Sequence, residues 1–134
     1  MDITFKSIKD LSSDDLKELF LSVGWSSGQY PEKLKTAMQN SDCVYTAWDE
    51  RRLAGLINSM SDGVMNVYFQ YLLVRPEYQG KGIGKELVLF MLEHYKTYMR
   101  KTLIAYDTAA EFYRRCGFET GDGLIPMSVT SLTA

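Results

Sequence analysis

Apolar and polar positions alternate over residues 3 to 8, with Ile3 and Phe5 set against Thr4 and Lys6, which predicts a short half-buried strand. Helical spacing follows. Ser12 or Ser13 supplies a cap, Asp14 and Asp15 suit the positive end of the dipole, and Leu16, Leu19, Phe20 and Val23 form one apolar face up to Gly24. Residues 25 to 30 read as a loop, and Pro31 opens a second helix with Leu34, Ala37 and Met38 inward. Strands are predicted from Cys43 to Trp48 and from Leu53 to Met60, antiparallel across a polar turn, with Gly55 marking a bulge. A longer run from Val64 to Val74 places Val67, Phe69, Tyr71 and Leu73 opposite Tyr68, Gln70, Leu72 and Val74. Both faces are largely apolar, so this strand belongs at the centre of its sheet with helices above and below.

Leu87, Val88, Met91, Leu92, Tyr95 and Met99 then recur at helical spacing, with His94 off the stripe and read as a surface residue. Thr102 to Tyr106 is a short strand. Thr108 and Glu111 have capping-box spacing before a helix carrying Phe112, Tyr113 and Cys116 and ending at Gly117. Phe118 to Thr120 and Leu124 to Thr130 close the chain as a hairpin, Pro126 favouring an edge. The expected class is α/β (α+β), with a central, mixed and mostly antiparallel sheet of about seven strands flanked by four helices. Residues 1–134 read as one domain.

Between the central strand and the next helix lies Gln79-Gly80-Lys81-Gly82-Ile83-Gly84. Alternate glycines remove the Cβ atoms that would hold a ligand off the backbone, and amides at a helix start attract an anion, so the stretch reads as a phosphate cradle. The spacing excludes a dinucleotide fingerprint, whose third glycine would fall on Lys85, and a P-loop, whose first and last positions would be Gln79 and Glu86. Arg75, Lys81 and Lys85 flank the loop, where they would favour a cofactor's phosphates.

A net charge of -2 argues against non-specific nucleic-acid binding. Cys43 and Cys116 fit neither a metal pattern nor a disulfide framework, and His94 is on a different helix from Cys116, which disfavours a cysteine nucleophile. With no apolar run of spanning length and no signal-peptide pattern, the expected location is cytoplasmic.

The residues from Leu72 to Gly84, including Val74-Arg75-Pro76-Glu77-Tyr78-Gln79-Gly80-Lys81-Gly82-Ile83-Gly84, closely resemble the coenzyme A motif of GNAT N-acetyltransferases, V-x-P-x-x-Q-G-x-G-I-G. Ala110 to Phe118 resembles the family's A-x-x-F-Y-x-x-x-G-F segment, and the element order agrees along nearly the whole chain. The resemblance implies a GNAT fold whose strands splay beside the glycine-loop helix, and acetyl-CoA as cofactor without a metal. It implies cofactor contacts from the strand backbone of Leu72, Leu73 and Val74, from Gln79, Gly80, Lys81, Gly82, Ile83, Gly84 and Lys85, and from Asp107, Ala110 and Tyr113. Tyr113 matches the family's tyrosine and is expected to be the general acid that protonates the leaving thiolate. Trp25, Tyr30, Tyr68 and Gln70 are the candidate acceptor contacts, the first two reading equally well as a lid on the core. Relatives often carry an acidic residue just before this segment, where this chain has Gln70 and Tyr71; Glu77, Asp107 and water are left as candidate bases.

The expected function is acetyl transfer from acetyl-CoA to a primary amine of a small molecule, the amine attacking directly. The alternative is an acyl-CoA-binding regulatory or sensing module without turnover. Small-molecule partners are expected rather than nucleic acid or membrane, and a homodimer is left open.

Overall fold

The computed structural model describes residues 2 to 133. Its first half runs β1 (Ile3–Ser7), α1 (Ser13–Ser22), a 3-10 turn (Ser26–Gln29), α2 (Pro31–Asn40), β2 (Cys43–Asp49) and β3 (Arg52–Ser61). Then come β4 (Asn66–Val74), a 3-10 turn (Pro76–Tyr78), α3 (Ile83–His94), β5 (Arg100–Leu103), a third 3-10 turn (Asp107–Ala109) and α4 (Ala110–Arg115). The strands lie in sequence order in one sheet, antiparallel from β1 to β4 and parallel between β4 and β5.

Helix α1 forms where its cap and stripe predict it. Ser12 Oγ accepts from the Asp15 amide at 3.1 Å, and Leu16, Leu19 and Phe20 are fully buried. With Leu34 and Met38 of α2 they pack on Val44, Trp48, Leu56 and Leu73. Leu87, Val88 and Met91 of α3 cover the other face, against Ala47, Ile57, Val67 and Phe69. Apolar burial of this size, about 25 cal/mol per Å², is what offsets the chain's lost entropy.

The central strand departs from strict alternation. Ile57 is opposite Leu72 and Ser59 is opposite Phe69, so Gln70 and Tyr71 together face the single residue Asn58. This is a β-bulge, and one extra residue flips all that follow. Val67 and Phe69 accordingly pack toward α3, whereas Tyr71 and Leu73 pack toward α1 and α2. The single set of four expected from the sequence is split. The irregularity expected at Gly55 is present, with Ala47 opposite Gly55 and Trp48 opposite Leu53. A Cβ on Gly55 would lie 2.8 Å from the Leu73 carbonyl oxygen, so β4 approaches too closely for any side chain there.

Other boundaries also differ. Five strands are present among the described residues rather than seven: residues 118 to 133 form no hairpin. Leu124, Ile125, Met127 and Val129 are more than three-quarters exposed, and an isolated hairpin with a proline in its ladder has little to stabilise it. Helix α3 ends at His94, which is exposed as expected, while Met99 falls outside the helix and is 79% exposed. β5 starts two residues earlier than expected and ends at Leu103 rather than Tyr106. Thr108 does not cap α4, since it lies within the 3-10 turn, and Glu111 instead pairs with Arg114 and Arg115 at 3.5 and 3.8 Å.

Candidate active site

β4 and β5 pair only from Asn66 with Arg100 to Phe69 with Leu103. Beyond that point β4 bends at its bulge and β5 ends, leaving a gap between residues 70 to 74 and 104 to 106. The Tyr71 amide donates to Asn58 Oδ1 at 2.9 Å and the Arg75 amide to the Ala54 carbonyl at 2.8 Å, both toward β3. Because strand amides alternate in direction, those of Leu72 and Val74 point the other way, into the gap. Gln79 Nε2 donates to the Val74 carbonyl at 2.8 Å, which ties the glycine loop to the same edge.

The loop is shaped by two left-handed residues, Gly80 at φ 77° and Gly82 at φ 85°, the latter being the N-cap of α3. No atom lies within 4 Å of a Cβ built on either, so they are required by backbone conformation and leave open space in front of the loop. The first intrahelical bond runs from the Glu86 amide to the Gly82 carbonyl. The amides of Ile83, Gly84 and Lys85 therefore emerge from the positive end of a three-turn helix. Behind the loop, Tyr78 is buried and its hydroxyl donates to Asp49 Oδ2 at 2.5 Å, anchoring the loop to the β2–β3 turn.

A cavity of about 610 Å³ begins at this helix start. Its floor is formed by Leu72, Leu73 and Val74 and by loop residues Gln79, Gly80, Gly82, Ile83, Gly84 and Lys85. A second cavity of about 190 Å³ lies across the gap, walled by Phe69, Gln70, Leu103 and Ile104. Trp25, Leu72, Tyr106, Ala109 and Tyr113 line both. The two spaces therefore share a wall at the strand edge where the Leu72 amide points. Among the described residues neither wall contains a carboxylate or a histidine.

The candidate residues divide accordingly. Trp25 and Gln70 reach the second cavity, whereas Tyr30 is 48% exposed and Tyr68 borders neither space. Lys81, Asp107 and Ala110 also lie outside both linings. Arg75 does not flank the cradle as expected: it is only 8% exposed, its Nε donates to the Leu53 carbonyl at 2.7 Å, and its guanidinium reaches Glu18 at 3.3 Å. Its side chain is committed to the β3 backbone, with Glu18 of α1 as an exposed second partner. Val23, Tyr78, Tyr106 and Phe112 line the first cavity without having been singled out in the sequence. Their signal was indirect: Val23 and Tyr106 stand at predicted element ends, and Tyr78 and Phe112 lie inside the two motif segments.

Tyr113 is partly buried, with Phe112 and Phe118 edge-on to its ring. Burial, and to a lesser degree the Cys116 thiol, pushes its hydroxyl pKa up to about 12. It remains a donor at any neutral pH. Trp25 is braced by Phe20 at 6.2 Å and Tyr71 at 6.2 Å, and the Tyr71 hydroxyl and Ser27 Oγ share a 2.9 Å hydrogen bond that pins the loop to β4.

A family model for the acetyltransferase (GNAT) domain matches residues 40–120. Among curated proteins, the chain is 32% identical over 133 residues to the histone acetyltransferase TAP1 of Glycine max, covering 87% of this chain and 56% of that one. It is 29% identical to the GCN5-related N-acetyltransferase 2, chloroplastic, of Arabidopsis thaliana, covering 88% of this chain and 54% of that one. The chain thus spans little more than half the length of these relatives. Among solved structures it superposes on the GNAT family protein SP0256 of Streptococcus pneumoniae TIGR4 with a TM-score of 0.80 at 31% identity, covering 95% of this chain and 98% of that one.

Proposed function

The chain belongs to the GNAT acetyltransferase family, and on that premise we propose that it transfers an acetyl group from acetyl-CoA to a primary amine of a small molecule. The observation that carries this reading is the wall that the two cavities share at Leu72 and Tyr113. A phosphate-bearing donor fits one side, because the α3 amides and the left-handed glycines leave an open, electropositive cradle there. An acceptor fits the smaller space opposite. Acetyl-CoA supplies the acetyl group as an activated thioester.

The chain's own groups divide the work. The amides of Ile83, Gly84 and Lys85 and the Lys85 side chain hold phosphate, and the gap-facing backbone of Leu72 and Val74 aligns the arm that reaches the acetyl group. The Leu72 amide, directed into the gap, donates to the carbonyl oxygen as negative charge grows on it. Tyr113 Oη donates its proton to the departing sulphur. A thiol's ordinary pKa is near 8.5, so a phenol held near 12 gives up that proton only as the amine nitrogen releases one to replace it. Neither wall has a base among the described residues, so the amine loses its first proton to solvent before it attacks.

Gln70, which stands on the acceptor side where a carboxylate would be useful, favours a second reading: an acyl-CoA-binding sensing module without turnover. A screen of monoamines, polyamines, aminoglycosides, amino acids and peptides, followed by release of CoA thiol, separates the two. Amine-dependent release supports transfer; saturable acetyl-CoA binding with no release for any amine supports the sensor.

Among the described residues no helix is long and apolar enough to cross a membrane. The free thiols Cys43 and Cys116 fit the reducing cytoplasm expected from the sequence. The exposed apolar side chains of Leu124, Ile125, Met127 and Val129 suit the homodimer left open by the sequence.

A further inference from the structure

Asn58 is 3% exposed, an unusual place for a side-chain amide, and every polar atom it carries is used. Oδ1 accepts from the Tyr71 amide at 2.9 Å, and Nδ2 donates to Ser41 Oγ at 3.1 Å. Ser41 Oγ in turn donates to the Ala37 carbonyl at 2.8 Å. Its one proton being committed there, Ser41 can only accept from Asn58, so the end of α2 dictates which way the Asn58 amide faces. The oxygen must point at β4.

What it meets there is the bulge. Gln70 and Tyr71 oppose Asn58 alone, and the extra residue would leave the Tyr71 amide without a ladder partner. Asn58 Oδ1 replaces that partner. The bulge falls directly after the last β4–β5 pair, Phe69 with Leu103, and directly before Leu72. It is thus the step at which β4 turns from its parallel neighbour and at which the next amide is aimed into the gap.

We propose that Asn58 is a positioning residue: its buried amide holds the β4 bulge open and thereby aims the Leu72 amide at the acetyl carbonyl. This rests on the reading of the gap as the acetyl site. Asn58 touches no substrate and acts through Tyr71. Replacing it by leucine keeps the branched outline, with added bulk, and removes the acceptor. The bulge then has no partner for the Tyr71 amide, and β4 relaxes toward regular pairing with the Leu72 amide turned off its line.

Calorimetry with acetyl-CoA and with CoA on the same protein tests the aim without requiring turnover. Wild type should bind acetyl-CoA more tightly than CoA, by up to about 10-fold for one hydrogen bond. Asn58→Leu should lose that preference and keep its CoA affinity, while the Tyr71 amide exchanges with deuterium at least about 10-fold faster. Asn58→Asp, which keeps an acceptor toward Tyr71, should restore both. Ser41→Ala, a second variant for the case in which Asn58→Leu does not fold, should weaken both in the same sense. A merely structural asparagine would lower stability or both affinities together and leave their ratio unchanged. Absence of an acetyl preference in wild type, or its persistence when Tyr71 protection is lost, overturns the proposal. If no amine ever elicits CoA release, the transferase reading fails, while preference and exchange still decide the role of Asn58.

Discussion

The indole of Trp25 lies 6.4 Å, centroid to centroid, from the ring of Tyr106, and the two residues approach from opposite sides of the gap. Trp25 follows α1, Tyr106 follows β5, and both line both cavities. A loop residue and a strand-end residue therefore form a shared wall. Trp25→Ala should raise the acceptor's KM by about 10-fold or more and that of acetyl-CoA by less, as expected for a side chain that binds the smaller partner. An equal rise in both, or loss of folding, would identify Trp25 as a core residue resting on Phe20.

Gly82 and Gly84 should behave differently although they stand two positions apart in one motif. At φ 85°, Gly82 has room for a Cβ but not the backbone preference for one, so Gly82→Val strains the loop by about 1 to 2 kcal/mol. The expected result is a folded protein with acetyl-CoA affinity reduced by about 10-fold or more. A Cβ on Gly84 would meet Phe112 at 3.5 Å, an ordinary contact, so Gly84→Ala should bind nearly as wild type. Calorimetry on the two variants provides the comparison, and equal losses would show that the third glycine also approaches the ligand.

Arg75 carries a prediction opposite to its place in the sequence motif. Its side chain lies outside both cavity linings and is bonded to the Leu53 carbonyl, while Glu18 remains largely exposed and contributes little. Arg75→Met should lower unfolding stability by about 1 to 3 kcal/mol, through the carbonyl left unpaired, and should leave acetyl-CoA affinity within about 3-fold. A large loss of affinity at unchanged stability would return the residue to the phosphate site.

Much of this arrangement was legible because it is local. The strand, loop and helix around Gln79 to Gly84 follow from apolar runs and from glycines whose conformations no other residue adopts at low cost. What escaped was set by pairing at a distance. The bulge at Gln70 and Tyr71 leaves no mark in alternation, since both faces of β4 are apolar, and its partner Asn58 is about a dozen residues away in another strand. Arg75 looked like a phosphate ligand because a charge beside a glycine loop has two destinations, and the buried Leu53 carbonyl decides between them. The C-terminal pattern of Leu124 to Thr130 reads as a strand, but a strand needs a neighbour, and none is paired with it.

The hydroxyl of Tyr113 allows the acid and the structural roles to be separated by pH as well as by substitution. Tyr113→Phe keeps the ring against Phe112 and Phe118, so a packing role predicts wild-type turnover, whereas loss of the donor should reduce kcat by about 100-fold at unchanged acetyl-CoA affinity. With the phenol pKa raised to about 12 by burial, wild-type rate should rise with pH as the amine deprotonates and show no fall attributable to Tyr113 below about pH 11. Stability follows the same proton. An unfolded tyrosine ionises near pH 10, so between pH 10 and 12 the folded state holds the proton more tightly than the unfolded state. Its contribution is complete below pH 10 and is lost as pH rises toward 12. Tyr95, whose pKa is raised by burial and by donation to Asp42, acts in the same direction. Denaturant titrations at pH 8 and pH 11 should therefore show wild type losing stability in alkali and Tyr113→Phe losing about 1 kcal/mol less, the lower end of what a two-unit shift allows. Identical alkaline losses in the two proteins, together with unreduced kcat in the variant, would mean that the hydroxyl neither resists ionisation nor delivers a proton.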